Sequence, residues 1–396
     1  MRKRTIFIIP VCFILLSLHS QADNEWVVEE VVVRGNTWTN KEVILREIGI
    51  SQGDVLEEEV LLDQLLKGKD RLDRSGLFAE VFLDQEIVEE GKIKVIVEVR
   101  ERWNIDIAPG GLYYLDSAGF KARGFLHVRD RNFLGYAQEL NLKAHYLADY
   151  GLEVNWRESR LASSSWTLEL GAVYLVANYQ DRVDRLGGNI GFGYTFSPDL
   201  KVGSRYRYES IKPRGGQAAS SVAGLYPYLK WGYNERPDPK ERFWNLFVLE
   251  SEVASSILGG GEDYAKLKAS YSFFRDLFLQ IVAAMSLSGG VGYGNIPPYE
   301  LFTAQVRGWD AYAMTGDISL SVSSELRVPI PFYQFLQVAL FLDAGAVGKK
   351  DGLSLGDTAV GGGVGLRWFN TLQNPLRLDV GWGRGVSLNI GLGQSF

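Results

Sequence analysis

Acid–base chemistry near neutral pH would fall to the histidines, and this chain has three, His19, His127 and His145. None stands at catalytic spacing from a nucleophile. The chain's only cysteine, Cys12, lies close to His19 in the first twenty residues. The sequence has no G-x-S-x-G elbow, no metal-spaced cluster and no glycine-rich phosphate loop. It is therefore expected not to be an enzyme and to need no cofactor.

The segment holding Cys12 and His19 reads as a leader. Arg2, Lys3 and Arg4 precede an apolar run from Ile6 to Leu18, and Ser20 and Ala22 put small residues three and one positions before a cleavage point after Ala22. About thirteen apolar residues are too few to cross a bilayer as a helix, so residues 1–22 are expected to be a signal peptide. Its removal would leave neither disulfide nor thiolate chemistry. The formal charge of −6 argues against a nucleic-acid partner. Residues 23–102 hold about twenty acidic and eleven basic side chains, which sets them apart from a nearly neutral remainder. No later run approaches the roughly twenty apolar residues of a spanning helix, which excludes a helical membrane protein.

Residues 23–102 carry the order strand, helix, helix, strand, strand. Val27 to Arg34 forms the first strand, closed by Gly35 and Asn36. Thr39 with Glu42, and Asp54 with Glu57, have capping-box spacing, and the two helices stop near Gly49 and Gly76. Leu61, Leu65 and Leu72 share one helical face, Leu77 and Phe78 join the core, and strands follow at Ala79 to Gln85 and Ile93 to Arg100.

Residues 103–396 change to about sixteen segments of period-two alternation separated by glycine, asparagine, aspartate and serine turns. From Asp317 to Val328, Ile318, Leu320, Val322, Leu326 and Val328 occupy one face, and Ser319, Ser321, Ser323, Glu325 and Arg327 the other. The same two-sidedness recurs in Glu139 to Ala148, Leu200 to Glu209, Tyr264 to Phe273, Leu336 to Gly345 and Val386 to Phe396. So long a meander fits a closed barrel, whose outer face meets lipid and whose inner face meets water. Trp231, Trp368 and Trp382 fall near strand ends, as an interfacial girdle requires. Inward positions hold an excess of cations, including Lys121, Arg123, Arg205, Arg207, Lys266 and Lys268. Either the lumen is cationic and anion-favouring, or these charges pair with one another and with an infolded loop. His127 and His145 share this inward parity and read as lumen filler. Pro109, Gly110 and Gly111 interrupt the first barrel strand, and Gly391 and Gly393 the last. Proline removes a ladder donor, so the seam between these strands is expected to be weakly zipped and able to open laterally. Alternatively, the glycines only accommodate crowded side chains.

Two sets of motifs resemble known modules. Val31 to Asn36 (VVVRGN), Ser75 to Val81 (SGLFAEV) and Val95 to Arg102 (VIVEVRER) resemble, in that order, a polypeptide-transport-associated (POTRA) domain. That implies an exposed strand edge beside a helix, able to bind periplasmic partner proteins or extended chains by β-augmentation. Asp130 to Gly135 (DRNFLG), Val306 to Trp309 (VRGW), Phe341 to Gly345 (FLDAG), Gly363 to Arg367 (GVGLR) and Pro375 to Gly381 (PLRLDVG) resemble the BamA/TamA-like outer-membrane assembly factor superfamily. The resemblance implies that Val306, Arg307, Gly308 and Trp309 lie in a loop after the eleventh strand that folds into the barrel. There Arg307 docks on a wall carboxylate, Asp343 or Asp379, with Asp343 favoured, while Gly308 permits the turn and Trp309 replaces the family's Phe or Tyr. Terminal Phe396 resembles the aromatic insertion signal of outer-membrane barrels. The expectation is a transmembrane β-barrel (103–396) in the cell outer membrane with one periplasmic POTRA-like domain (23–102). Its expected partners are outer-membrane lipids and unfolded or extended client polypeptides, and its role is to insert or translocate proteins through the seam. The alternative is a passive pore or structural barrel.

Overall fold

The computed structural model describes residues 25–178, 182–213, 218–232, 243–278, 280–310, 313–349, 352–369 and 375–392. Residues 1–22, Gly393 and Phe396 lie outside them. The chain divides into two compact units, Met1–Arg102 and Trp103–Phe396.

The first unit runs β1 (Glu25–Arg34), α1 (Lys41–Ile48), β2 (Val55–Glu57), α2 (Glu58–Ser75), β3 (Phe78–Glu89) and β4 (Lys92–Glu101). Its sheet has the order β2-β1-β4-β3, with β1 parallel to β4 and the other pairs antiparallel. Apolar residues at helical spacing, among them Ile44, Ile48, Leu61, Leu65 and Leu72, are buried together with Val28, Val95, Val97, Leu77 and Phe78. Gly49 and Gly76 end the helices in left-handed conformations, at φ 72° and 69°.

Two local expectations fail here, for stated reasons. Asn40, not Thr39, caps α1 by accepting from the Glu42 amide. Thr39 is occupied elsewhere, because its amide donates to Glu101 Oε1 at 2.6 Å. Asp54 caps no helix either; it accepts from the Ser51 amide at 2.7 Å and closes a turn. The residues after it form β2, which pairs Val55–Glu57 with Glu25–Val27. A three-residue strand is too short to show alternation.

Glu101 knits the end of β4 to the turn before α1. Its carboxylate accepts from the amides of Thr37 at 3.0 Å and Trp38 at 2.9 Å, and from the Thr37 hydroxyl at 2.5 Å. Partial burial pushes the Glu101 pKa up, but the bonds from Thr37, Thr39 and Trp38 outweigh it and hold the group down at about 2. A carboxyl with a depressed folded-state pKa stabilises above its unfolded value and loses that contribution as the pH falls toward the folded one. Glu101→Gln should therefore lower the stability of this unit by roughly 1–2 kcal/mol at pH 7. The gap between parent and variant should close as the pH is taken from 5 toward 2, measured on the full chain by urea titration with backbone amides of residues 37–39 followed by hydrogen exchange.

The second unit has strands β5 (Ile105–Asp116), β6 (Gly119–Phe133), β7 (Gln138–Leu147), β8 (Tyr150–Glu158), β9 (Trp166–Asn178), β10 (Arg182–Ser197), β11 (Leu200–Pro213), β12 (Ser220–Trp231), β13 (Phe243–Ala254), β14 (Tyr264–Asp276) and β15 (Val282–Gly294). After a long connection come β18 (Ile318–Ile330), β19 (Tyr333–Lys349), β20 (Gly352–Trp368), β21 (Leu376–Trp382) and β22 (Val386–Leu392). The connection itself holds β16 (Phe302–Thr303) and β17 (Thr315–Gly316), paired as a separate ribbon. The sixteen long strands form a closed antiparallel barrel in which each pairs with its neighbours in sequence and β22 returns to β5. Closure supplies every strand with two partners, which hydrocarbon demands. Among the described residues no helix is long and apolar enough to cross a membrane.

The alternation sorts side chains as an outer-membrane wall requires. On β18, Leu320, Leu326 and Val328 are exposed on the outside, whereas Glu325 and Arg327 are buried in the interior. Trp231, Trp368 and Trp382 end β12, β20 and β21 with their rings substantially exposed. Inside, His127 bonds Asn141 at 3.2 Å and His145 bonds Glu153 at 2.5 Å. Lys121, Arg123, Arg205, Arg207 and Lys266 each pair with a carboxylate, so much of the inward cation excess is matched.

Candidate functional site

The connection between β15 and β18 does not stay outside the barrel. After a 3-10 turn at Pro298–Glu300, and between the two strands of the small ribbon, β16 and β17, it lays residues 304–310 against the inner wall. Glycine makes the bed. A Cβ at Gly361 of β20 would come within 1.9 Å of the Arg307 carbonyl oxygen, so only glycine lets the loop backbone lie this close. Ala304 and Val306 are buried over Gly345 of β19 in the same way. Gly308 turns the chain with φ +90°, a conformation that side chains rarely adopt, and its amide donates to Ser387 Oγ on β22 at 2.8 Å.

This turn aims Arg307 at the wall. Its Nε and Nη2 donate to the two oxygens of Asp343, each at 2.7 Å, in a bidentate fork, and its amide adds a third bond to Asp343 at 3.1 Å. Its Nη1 reaches Glu325 on β18 at 2.7 Å and Asp379 on β21 at 3.3 Å. The guanidinium lies 3.5 Å from the centre of the Phe341 ring, which closes its face against water. The two expected partners, Asp343 and Asp379, thus both touch Arg307, with Asp343 taking the fork.

Three members of this cluster were not anticipated. Glu325 bridges Arg307, Arg327 and Arg367, at 2.7, 2.9 and 2.7 Å. Arg367, fully buried on β20, also bonds Asp379 at 2.5 Å. Arg307, Arg327 and Arg367 therefore bond to Glu325, Asp343 and Asp379, and a fourth guanidinium, Arg377, lies beside them on β21. Alternation had placed Glu325, Arg327 and Arg367 on the wet face, but it carries no information about partners across strands.

Trp309 donates from Nε1 to the Val360 carbonyl at 2.9 Å and covers Gly383, so the indole has a bond that phenylalanine lacks. Asp310 pairs with Lys121 on β6. The loop tip is consequently bonded to β22 through Gly308 and to β6 through Asp310. β5 lies between them.

The seam strands meet over a short length. Among the described residues, which end at Leu392, the β5 to β22 ladder runs from Leu115↔Val386 to Gly111↔Ile390, five residues of each strand, whereas β5 and β6 pair over twelve. Pro109 and Gly110 lie beyond the ladder described with β22. Gly110 also has a packing reason, since the Phe125 ring covers it and a Cβ would come within 2.2 Å of that ring. Gly391 sits buried beside the Arg377 guanidinium. Asp130 to Gly135, the remaining motif, builds the turn after β6. Asn132 accepts from the Ala137 amide at 2.7 Å, and Arg131 pairs with Asp106 in the interior.

A closed sixteen-stranded barrel, outwardly apolar, holding an infolded loop by a buried arginine and following a small α/β unit, defines an outer-membrane barrel protein with a periplasmic domain. Residues 132–396 match the Omp85 superfamily domain and residues 27–102 match POTRA, the surface antigen variable number repeat, and the chain belongs to the Omp85 superfamily. It is 26% identical over 306 residues to the outer membrane protein assembly factor BamA of Nitratidesulfovibrio vulgaris, covering 69% of this chain and 36% of that one. It is 22% identical over 386 residues to the BamA of Neorickettsia risticii, covering 85% and 49%. The chain therefore spans half or less of these relatives' length. Its fold resembles that of BamA from Haemophilus ducreyi lacking POTRA domains 1–3, with a TM-score of 0.65 at 16% identity over 93% of this chain and 84% of that one. The barrel lies in the outer membrane and residues 27–102 in the periplasm.

Arg307→Ala would leave Asp343 without its bidentate partner in the buried interior. Removing one partner of such a buried set should destabilise the folded barrel by about 3 kcal/mol, read as a lower urea midpoint in detergent micelles. Arg307→Lys should recover only a minor part, because an ammonium cannot form the fork.

Proposed function

We propose that this protein inserts or translocates proteins at the outer membrane, acting on unfolded or extended polypeptides through the seam between β5 and β22. The five-residue ladder carries the proposal. Opening a closed barrel means giving up strand hydrogen bonds in a medium that cannot replace them, so a ladder that is short among the described residues is a favourable place to open. Once parted, each edge offers a row of unpaired amides and carbonyls to an incoming strand.

Two further observations support the reading. The loop tip bonds β22 at Ser387 and β6 at Lys121, so its position and the state of the seam are mechanically linked. In the periplasmic domain, β3 pairs only with β4 among the described residues, which leaves a twelve-residue edge beside α2 for an extended chain or a periplasmic partner protein. Membership of a superfamily that includes assembly factors agrees with this role.

The test places cysteines at Leu112 and Asn389, which face each other across the seam. In liposomes, the full chain should accelerate folding of a chaperone-held barrel substrate, scored by protease protection. Oxidation should abolish the acceleration and reduction should restore it. Full activity in the crosslinked form sinks the lateral route. No acceleration by the unmodified chain favours instead a passive pore or structural barrel, which depletion of the protein would show as an unchanged outer-membrane proteome.

A further inference from the structure

The loop meets the wall a second time, on a different arc of the barrel and with the opposite sign. Glu300, at the end of the 3-10 turn, is buried with 8% exposure. Its Oε1 lies 3.0 Å from Arg185 on β10 and 3.2 Å from Arg207 on β11. Lys266 on β14 reaches its Oε2 at 3.2 Å and its backbone carbonyl at 3.0 Å. The wall supplies two carboxylates of its own here, with Glu209 taking Arg185 at 2.6 Å and Glu252 taking Lys266 at 2.6 Å. Tyr226 and Tyr264 also donate to Glu252.

The two contacts are of opposite sign. Glu300 meets three wall cations, Arg185, Arg207 and Lys266, that share Glu209 and Glu252 on the wall itself. Arg307 meets three wall carboxylates, Glu325, Asp343 and Asp379. Each anchor carries the charge opposite to the wall groups it touches. Ile296 and Tyr299 pack beside Glu300 on the cluster of Val183, Ile211, Val222, Ala254 and Tyr264, which shields the ion pairs.

We propose that Glu300 is a positioning residue, the counter-anchor that holds the loop across the lumen in concert with Arg307. The span between the anchors forms one side of a polar pocket of about 550 Å³, lined by Arg205, Lys268, Tyr228, Phe302, Thr303 and Gln305. Release at Glu300 frees that side and widens the access to Thr303 while Arg307 still holds the tip. This role concerns how the loop is held and stands whether or not the barrel inserts proteins.

The test uses the full chain with Cys12→Ser and a reporter, Thr303→Cys, which lines the pocket. Folded barrel, identified by its migration on unheated gels, is labelled with a charged maleimide. Glu300→Gln keeps the shape and removes the charge, so a packing role predicts no change. The ionic anchor predicts labelling faster by roughly tenfold or more, as for the loss of a buried charge-assisted bond. Glu300→Asp, which keeps the charge, should fall between. Parental labelling rates in folded Glu300→Gln overturn the proposal. If that variant does not fold, Lys266→Met removes the wall partner and should also speed labelling; an unchanged rate there overturns the proposal equally.

Discussion

A backbone amide in hydrocarbon has no water to turn to, and that constraint sets most of this architecture. It forces the strands into a closed ring, and with sixteen strands the ring encloses a space too wide for wall side chains to fill. An interior of that width is wet, which permits charged residues at inward positions and makes an ordered filling necessary if the lumen is not to be an open channel. The filling is the loop between β15 and β18. Because it is peptide lying against peptide, it needs glycine where the backbones touch, as at Gly361, and charge where it must be held.

The same constraint bears on the proposed seam. A closed barrel has no edge to offer, and the proposed lateral route needs one to be exposed. Among the described residues, β5 pairs along its whole length with β6 and over five residues with β22. Proline at position 109 cannot donate to any ladder, and Gly110 gives up its side chain to the Phe125 ring. These features fall on one strand, although the ladder between β12 and β13 is also interrupted, at Tyr226 and Pro227. Bonds from the loop tip to Ser387 and Lys121 lie on either side of β5, so the infolded loop and the proposed seam share the same few residues.

Alternation made the barrel legible, because a period of two states which face each residue takes. It placed Asp343 and Asp379 on the inner face, and the resemblance to the family's loop motif supplied Arg307 as their expected partner. It could not name Glu325 or Arg367 as partners, since cross-strand pairing depends on stagger, which single strands do not encode. Nor could it find Glu300, which lies in a segment with no period at all. A signal was nevertheless present: between Gly294 and Arg307 the only charged residue is Glu300, set among isoleucine, prolines, tyrosine, leucine and phenylalanine. A solitary charge in an apolar segment destined for burial needs a partner. In the periplasmic domain the helices were legible from leucine spacing, whereas Thr39 and Asp54 matched a capping pattern that tertiary bonding overrode.

Opposite polarity in the two anchors has a consequence that two like charges would not. Buried ion pairs contribute less to stability than their number suggests, because desolvation offsets attraction, but a misplaced buried charge is strongly unfavourable. A loop carrying Glu300 and Arg307 is an electric dipole laid across the lumen, and the wall presents the reverse dipole. Reversing or sliding the loop would set Glu300 near Asp343 and Glu325, or Arg307 near Arg185 and Arg207. Charge thus fixes direction as well as position. A symmetric pair of anchors would have tolerated both orientations and would have required a wall of uniform sign, drawing counterions into the space the loop must fill. The arrangement holds a flexible connection in one register while leaving the ion pairs, unlike a covalent tie, free to break and re-form.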